Sequence, residues 1–260
     1  MAGIKFKSED DLKLMRPAGG VAAKVLDEIA AFIKPGLTTR DIDNFAAERI
    51  RSYDAKSAFL GYRKFPGHTC LSVNDEVVHG IASDRELKFG DIVSVDVGVT
   101  YKGFIGDTAR TVAVGGCGVA AQQLLDVTEQ SLYLGIAAAR PGNRVLDISL
   151  AVQRYVEQNG FSVVREFVGH GVGRSMHEEP QVPNFDDGAK SSPKLKPGMT
   201  IAIEPMVNAG RAGIKILKDG WTVVTQDGSL SAHFEHTVLI TDGEPEILTW
   251  AKQPFASKPA

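Results

Sequence analysis

Asp96 stands between Val95 and Val97 in SVDVGVTYKGFIGDTAR, residues 94–110, and Asp107 follows in the same stretch. A carboxylate inside an apolar run is costly unless something compensates it. If the stretch is a hairpin turning at Tyr101-Lys102, with Gly103 beside the turn, Asp96 and Asp107 stand directly opposite each other. Their Cβ atoms would then be about 4.5–5.5 Å apart. Two like charges at that distance either share a proton or hold a cation between them. On this hairpin alone, an exposed turn aspartate beside Gly106 is an equally good reading of Asp107.

Two further carboxylates shift the balance. In MTIAIEPM, Ile201 and Ile203 fall on one face of a strand and Ala202 and Glu204 on the other, and in SAHFEHTVLI Glu235 again sits in a strand-like run. Four such carboxylates carry a charge of −4, which two divalent cations balance. Bridging carboxylates hold a metal pair of this kind about 3.5–4 Å apart. VGHGVGRSMHEEP, residues 168–180, offers the nitrogen donors. Glycines at 169, 171 and 173 exclude a regular helix, so His170 and His177 are not a two-turn helical pair. Alone, each is an ordinary polar loop histidine; beside four strand carboxylates, His170 reads as a ligand.

The elements that must position these groups are legible around them. Ser8 before Glu9, Asp10 and Asp11 predicts a helix start, Val21, Val25, Ile29 and Phe32 recur at helical spacing, and Pro35-Gly36 stops the run. A second helix starts at Thr38 or Thr39; a third occupies 119–139 and ends at Pro141-Gly142; a fourth ends at Asn159-Gly160. Strands dominate 69–114 and return from there to Leu248. The order repeats, and so does the sequence. IKPGLTTRDI (33–42) matches ARPGNRVLDI (139–148), and LKFGDIVSVD (87–96) matches LKPGMTIAIE (195–204), at offsets of 106 and 108. Two similar halves are expected, each delivering a carboxylate from the same place.

Composition bounds the rest. A chain of 260 residues with 43% apolar and 23% charged side chains suits one sizeable catalytic domain, 1–260, with 251–260 as a frayed tail. A net charge of −3 without a long like-charged block argues against nucleic acid as a specific partner. No run approaches the roughly 18 apolar residues of a membrane span, and Cys70 and Cys117 form no disulfide framework. The expected setting is the reducing cytoplasm.

Asp96, Asp107, His170, Glu204 and Glu235, in this order, resemble the five-ligand set of the pita-bread metallopeptidases. NDEVVHGI, VGHGVGR-x-x-HEEP, LKPGM-x-x-x-IEPM and DGW…SLSAHFEHT look like type I methionine aminopeptidase in particular, and the similarity runs over about residues 5–248. The resemblance implies an α/β fold of two pseudo-symmetric halves, with a curved antiparallel sheet flanked by helices. It implies two divalent ions (Co, Mn, Fe or Zn), with Asp107 and Glu235 bridging, Asp96 on one metal, and His170 with Glu204 on the other. Glu204 would also shuttle the proton of the attacking water, His79 would bond the scissile nitrogen and His177 the carbonyl oxygen. Tyr62, Phe65, Cys70, Met176 and Trp221 would line a methionine pocket, and Asn74 and Ser231 would bind a monovalent cation.

Phe65 stands where the family usually has tyrosine, and Met176 replaces an aromatic. The implied substrates are peptides and nascent chains that begin with methionine and carry a small second residue. They would be met by a monomer in transient contact with the ribosome. The competing expectations are a prolidase or aminopeptidase P, which shares the ligands but cuts before proline, and a non-catalytic pita-bread scaffold.

Overall fold

The computed structural model describes residues 3–250; the expected tail, 251–260, lies outside the described residues. Helices form where the capping signals ask for them. The Ser8 hydroxyl accepts from the Asp11 N–H at 3.2 Å while Asp11 accepts from the Ser8 N–H at 3.1 Å, a reciprocal capping box opening α1, Glu9–Phe32. Thr38 and Asp41 repeat the device at α2, Thr39–Ser52. The second pair follows as α3, Val119–Ala138, and α4, Val145–Gln158, where Asp147 accepts from the Arg144 N–H at 2.7 Å. Among the described residues, no helix is long and apolar enough to cross a membrane.

The duplication read from sequence is present in the backbone. Gly36 N–H donates to the Leu87 carbonyl at 2.8 Å, and Gly142 N–H to the Leu195 carbonyl at 3.1 Å. Leu87 and Leu195 donate in turn to the carbonyls of Leu37 and Asn143, both at 2.8 Å. Bridges Thr38↔Glu86 and Arg144↔Lys194 complete the correspondence.

Each half contributes strands to one nine-stranded sheet whose pairings are all antiparallel. From the first half come Lys56–Ser57, Cys70–Val73, Ile92–Tyr101 and Phe104–Ala113; from the second, Gly169–Gly171, Glu178–Val182, Thr200–Ile203, Glu235–Leu239 and Glu246–Ile247. Phe104–Ala113 pairs with Glu235–Leu239, joining the halves at the centre. Val93, Val95 and Val97 are fully buried in a cluster with Val25 and Ile29 of α1 and Ile42 of α2. Ile201 and Ile203 do the same against Leu132 of α3 and Ile148 of α4. Fully burying one such side chain stabilises by roughly 1.5–3 kcal/mol, so these residues fix which face of the sheet meets the helices. Strand alternation then directs Asp96 to the opposite face.

One expectation needs correction. The hairpin turns at Lys102-Gly103, not Tyr101-Lys102, so Tyr101 pairs with Phe104, Asp96 with Ala109 and Asp107 with Gly98. Lys102 and Gly103 both have positive φ, 49° and 81°, the backbone of a two-residue turn that matches the strand twist and takes glycine inside the turn. Asp96 and Asp107 are therefore diagonal neighbours instead of direct ones. The shift is two residues, one full strand period, so both still face the same side.

Candidate active site

On the Asp96 face of the sheet, the structure brings together every residue expected of the catalytic and substrate site. One cavity of about 220 Å³ is lined by Asp96, Asp107, His170, Glu204, Glu235, His79, His177, Tyr62, Phe65, Cys70, Met176 and Trp221. Asp96 lies mid-strand in Ile92–Tyr101 directly opposite Cys70, and Asp107 lies in the partner strand. Asp107 is 3% exposed, which removes the turn-residue alternative. Glu204 follows the end of Thr200–Ile203, and Glu235, 2% exposed, opens its own strand. Thr237 donates its hydroxyl to the Asp107 carbonyl, and Thr108 donates to that of Glu235, both at 2.8 Å. These bonds lock the two central strands in register beneath the carboxylates.

His170 sits in the strand Gly169–Gly171, and a bulge between His170 and Gly171 re-aims the side chain. Its Nδ1–H donates to the Gly171 carbonyl at 2.9 Å, which leaves the Nε2 lone pair toward the acids. Nε2 is 3.7 Å from Asp107 Oδ2 and 3.5 Å from Glu204 Oε1. Ligand atoms of Asp107, His170 and Glu235 all lie within 4.8 Å of one another.

The electrostatics are those of a site built around positive charge. Burial, then the Asp107 charge, raises Asp96 well above the carboxylate range. Burial, followed by neighbouring carboxylates, does the same to Glu204 and Glu235, and burial pushes Asp107 up to about 7. Burial, then the nearby His177, brings both His170 and His79 down to about 4. Cys70 is held protonated by burial and then by Asp96.

Divalent cations fit this set. Among the described residues, Asp96 Oδ1, Asp107 Oδ1, Glu204 Oε1 and Glu235 Oε1 are buried without any hydrogen-bond partner. Four orphaned carboxylate oxygens from four residues are too costly for a merely structural polar cluster. They are the donor type that hard or borderline cations take, and the His170 imidazole beside them offers a nitrogen donor.

The other end of the cavity is apolar. Phe65 meets Trp221 edge-on at 5.1 Å, and Cys70 and Met176 are buried in the same cluster as Phe65. Tyr62 stacks on His177 at 5.6 Å, and its hydroxyl lies 2.9 Å from His177 Nδ1. His177, exposed at the mouth, is lowered by partial desolvation of its ring and then by Arg63. His79 holds a left-handed backbone, φ 60°, which costs about 1–3 kcal/mol in a residue other than glycine. Such strain is characteristic of functional positions.

Asn74 and Ser231 lie outside this cavity but beside each other: the Ser231 N–H donates to the Asn74 carbonyl at 2.9 Å. His233, not expected from the sequence, joins the site: its Nε2 is a buried orphan 3.7 Å from Glu204 Oε2. Its position two residues before Glu235 was the one cue in the sequence, with no shared strand to carry it. Phe59, Phe167 and Val168 also line the cavity from segments without helical or strand periodicity.

Residues 13–242 match metallopeptidase family M24. A methionine aminopeptidase of Clostridium perfringens (strain 13 / Type A) is 50% identical over 249 residues, covering 96% of this chain and 100% of its own length. Methionine aminopeptidase 1 of Bacillus subtilis (strain 168) is 50% identical over 246 residues, 95% of this chain and 99% of its own. The crystal structure of methionine aminopeptidase from Rickettsia prowazekii superposes with a TM-score of 0.93 at 42% identity, over 95% of this chain and 100% of that one. With its α/β pita-bread architecture, the chain belongs to metallopeptidase family M24 and, within it, to the methionine aminopeptidases.

Proposed function

We propose that this chain, as one catalytic domain spanning 1–260, removes the N-terminal methionine from peptides and nascent chains by hydrolysing the first peptide bond. The observation that carries the proposal is the set of orphaned carboxylate oxygens facing an apolar pocket with a thiol and a thioether in its wall. In this reading Asp96, Asp107, His170, Glu204 and Glu235 would hold two divalent ions, drawn from Co, Mn, Fe and Zn. Bound there, such ions supply a water acidic enough to ionise near neutral pH and polarise the scissile carbonyl.

The chain's own groups do the rest. Glu204 takes the proton of the attacking water and returns it to the leaving amine. In the tautomer whose Nδ1 accepts from the Tyr62 hydroxyl 2.9 Å away, His177 Nε2–H is free to donate to the scissile carbonyl oxygen as charge develops there. His79, kept neutral by burial, bonds the scissile nitrogen. Tyr62, Phe65, Cys70, Met176 and Trp221 enclose the methionine side chain, whose sulfur gains from aromatic edges. The second residue of the substrate is small. Asn74 and Ser231 form the monovalent-cation pair, apart from the chemistry. The enzyme works as a monomer in the cytoplasm, touching the ribosome transiently, with neither membrane nor specific nucleic acid as a partner.

The test is methionine release from Met-Ala-Ser by chelator-stripped protein before and after Mn²⁺ or Co²⁺, beside an Ala-Pro peptide and an Asp107→Ala variant. Metal-restored cleavage of the methionyl peptide alone, lost in the variant, is the expected result. Cleavage of only the prolyl peptide would reassign the chain to prolidase-like chemistry. Metal binding without cleavage of either peptide would leave a scaffold.

A further inference from the structure

The N-terminal segment before α1 reaches the loop that carries His177. Lys7 backbone N–H donates to the Gly198 carbonyl at 2.8 Å, which seats the segment against the second half. The Lys7 side chain then runs inward: Nζ lies 2.8 Å from Glu178 Oε2, with the two side chains only 6% and 2% exposed. Glu178 Oε1 is also engaged, accepting from the Ser175 N–H at 3.3 Å and from Lys5 Nζ at 3.5 Å. Gly173 makes room for this arrangement. A Cβ there would lie 2.6 Å from Lys7 Cε and 2.9 Å from both Lys7 Nζ and Glu178 Oε1. A second link ties the same loop to the start of α1, where Arg174 donates to Asp11 Oδ1 at 3.1 Å.

The loop between Gly171 and Glu178 delivers two side chains to the cavity, Met176 and His177. The His177 ring is held by the Tyr62 hydroxyl and lies against the His170 ring at 4.2 Å, but the residue itself is exposed. Ile105 N–H holds the start of the loop at the Gly173 carbonyl, 2.8 Å, and its far end is held through Glu178, which starts a strand and is clamped on both carboxylate oxygens. Displacing a catalytic group by about 1 Å can cost about a hundredfold in rate.

We infer that Lys7 is a positioning residue for the reaction: through its buried ion pair with Glu178 it sets the place of the 172–177 loop and so of His177. This rests on the proposed function, because His177 acts in it on the scissile carbonyl. Lys7 touches no substrate. Its contribution is realised when charge develops on that oxygen, so it acts on kcat more than on KM.

The experiment uses the full metal-loaded chain and Met-Ala-Ser, with amide hydrogen exchange on the same samples. Lys7→Met is expected to lower kcat by roughly 10–100-fold, with KM within about threefold. The Gly173 and Ser175 amides should exchange faster while those of Ile92–Tyr101 stay as in the parent. Lys7→Arg, which keeps the cation, should retain kcat within about threefold.

A parent-like kcat in Lys7→Met overturns the inference. So does a kcat loss accompanied by faster exchange throughout the sheet, which marks a merely structural role. Should Lys7→Met fail to fold, Lys7→Met/Glu178→Gln, which buries no unpaired charge, is read instead. Its kcat is expected to be at least about fivefold below the parent, and parent-level kcat and exchange would overturn the inference. If the parent itself cleaves no methionyl peptide, the proposed function fails, and the exchange pattern at Gly173 and Ser175 still decides whether Lys7 holds the loop.

Discussion

The two halves use the same helix-pair-and-strand plan but deliver their chemistry differently. The first carries both its carboxylates, Asp96 and Asp107, on one hairpin closed by Lys102-Gly103. The second separates Glu204 from Glu235 by a long excursion through two small three-stranded sheets, and that excursion brings in Met206, Trp221 and His233. Strands in matching positions also differ in donor. Cys70–Val73, pairing with Ile92–Tyr101, sets a thiol opposite Asp96, whereas Gly169–Gly171, pairing with Thr200–Ile203, supplies His170. One half is an acidic frame built on a single hairpin. The other adds the imidazole and much of the pocket wall, so the two sides of the cavity offer unequal donors although the folds that make them correspond.

The largest expected effect compares those matched strands. His170→Ala should reduce kcat/KM for the methionyl peptide by at least about a hundredfold and remove one of two steps in a metal titration followed by calorimetry. Cys70→Ala should keep both steps and lose less than about tenfold, a pocket effect. Equal losses would erase the distinction between the halves.

Next in size is the pH response of the chelated protein. Asp107, raised to about 7, and its raised carboxylate neighbours bind more protons folded than unfolded, so their contribution to stability is lost as pH rises. His79 and His170, lowered to about 4 from 6.5, and His233, lowered to about 3, oppose this only below pH 6.5, where the unfolded histidines charge. Above 6.5 the carboxylates act alone. The melting temperature of the metal-free chain should therefore fall between pH 6.5 and 8, and Mn²⁺ should remove most of the fall. A flat or rising profile would mean that the acids are compensated by something other than cations. Three of the four cavity histidines, 170, 177 and 233, come from the second half, so replacing them should remove that opposition and let the melting temperature go on rising as pH falls below 6.5.

The smallest effect tests the helix caps. In the first half Thr38 and Asp41 cap each other; in the second, Arg144 offers no capping hydroxyl, and Ser192 Oγ, from the chain beside it, accepts the Leu146 N–H at 2.8 Å. Thr38→Ala should cost about 1 kcal/mol in urea unfolding, and Ser192→Ala a few tenths to about 1 kcal/mol. A larger loss at Ser192 would show that the borrowed cap matters more than the built-in one.

Much of this was legible because chemistry and periodicity coincided. Asp96 interrupts a valine alternation, so its cost is visible in sequence, and the 106- and 108-residue offsets point to its counterpart Glu204. The helix ends were written in capping hydroxyls and Pro-Gly pairs. The hairpin register was not, because Tyr-Lys-Gly-Phe permits the glycine inside or beside a two-residue turn, and only positive φ at both Lys102 and Gly103 separates the two. His233 was hidden for another reason. The chain leaves one sheet at His233 and enters another at Glu235, so no single alternation spans the two residues.

The correspondence of the backbone hydrogen bonds at Leu37–Leu87 and Asn143–Leu195 has a consequence for how such a site persists. Two copies of a half-length chain meeting about a twofold axis would make the same kind of cavity only at the dilution their association tolerates, and with identical donors on both sides. Joined in one chain, the halves meet at a fixed effective concentration. The centre then survives any dilution, and each side is free to diverge, one keeping a thiol where the other holds an imidazole.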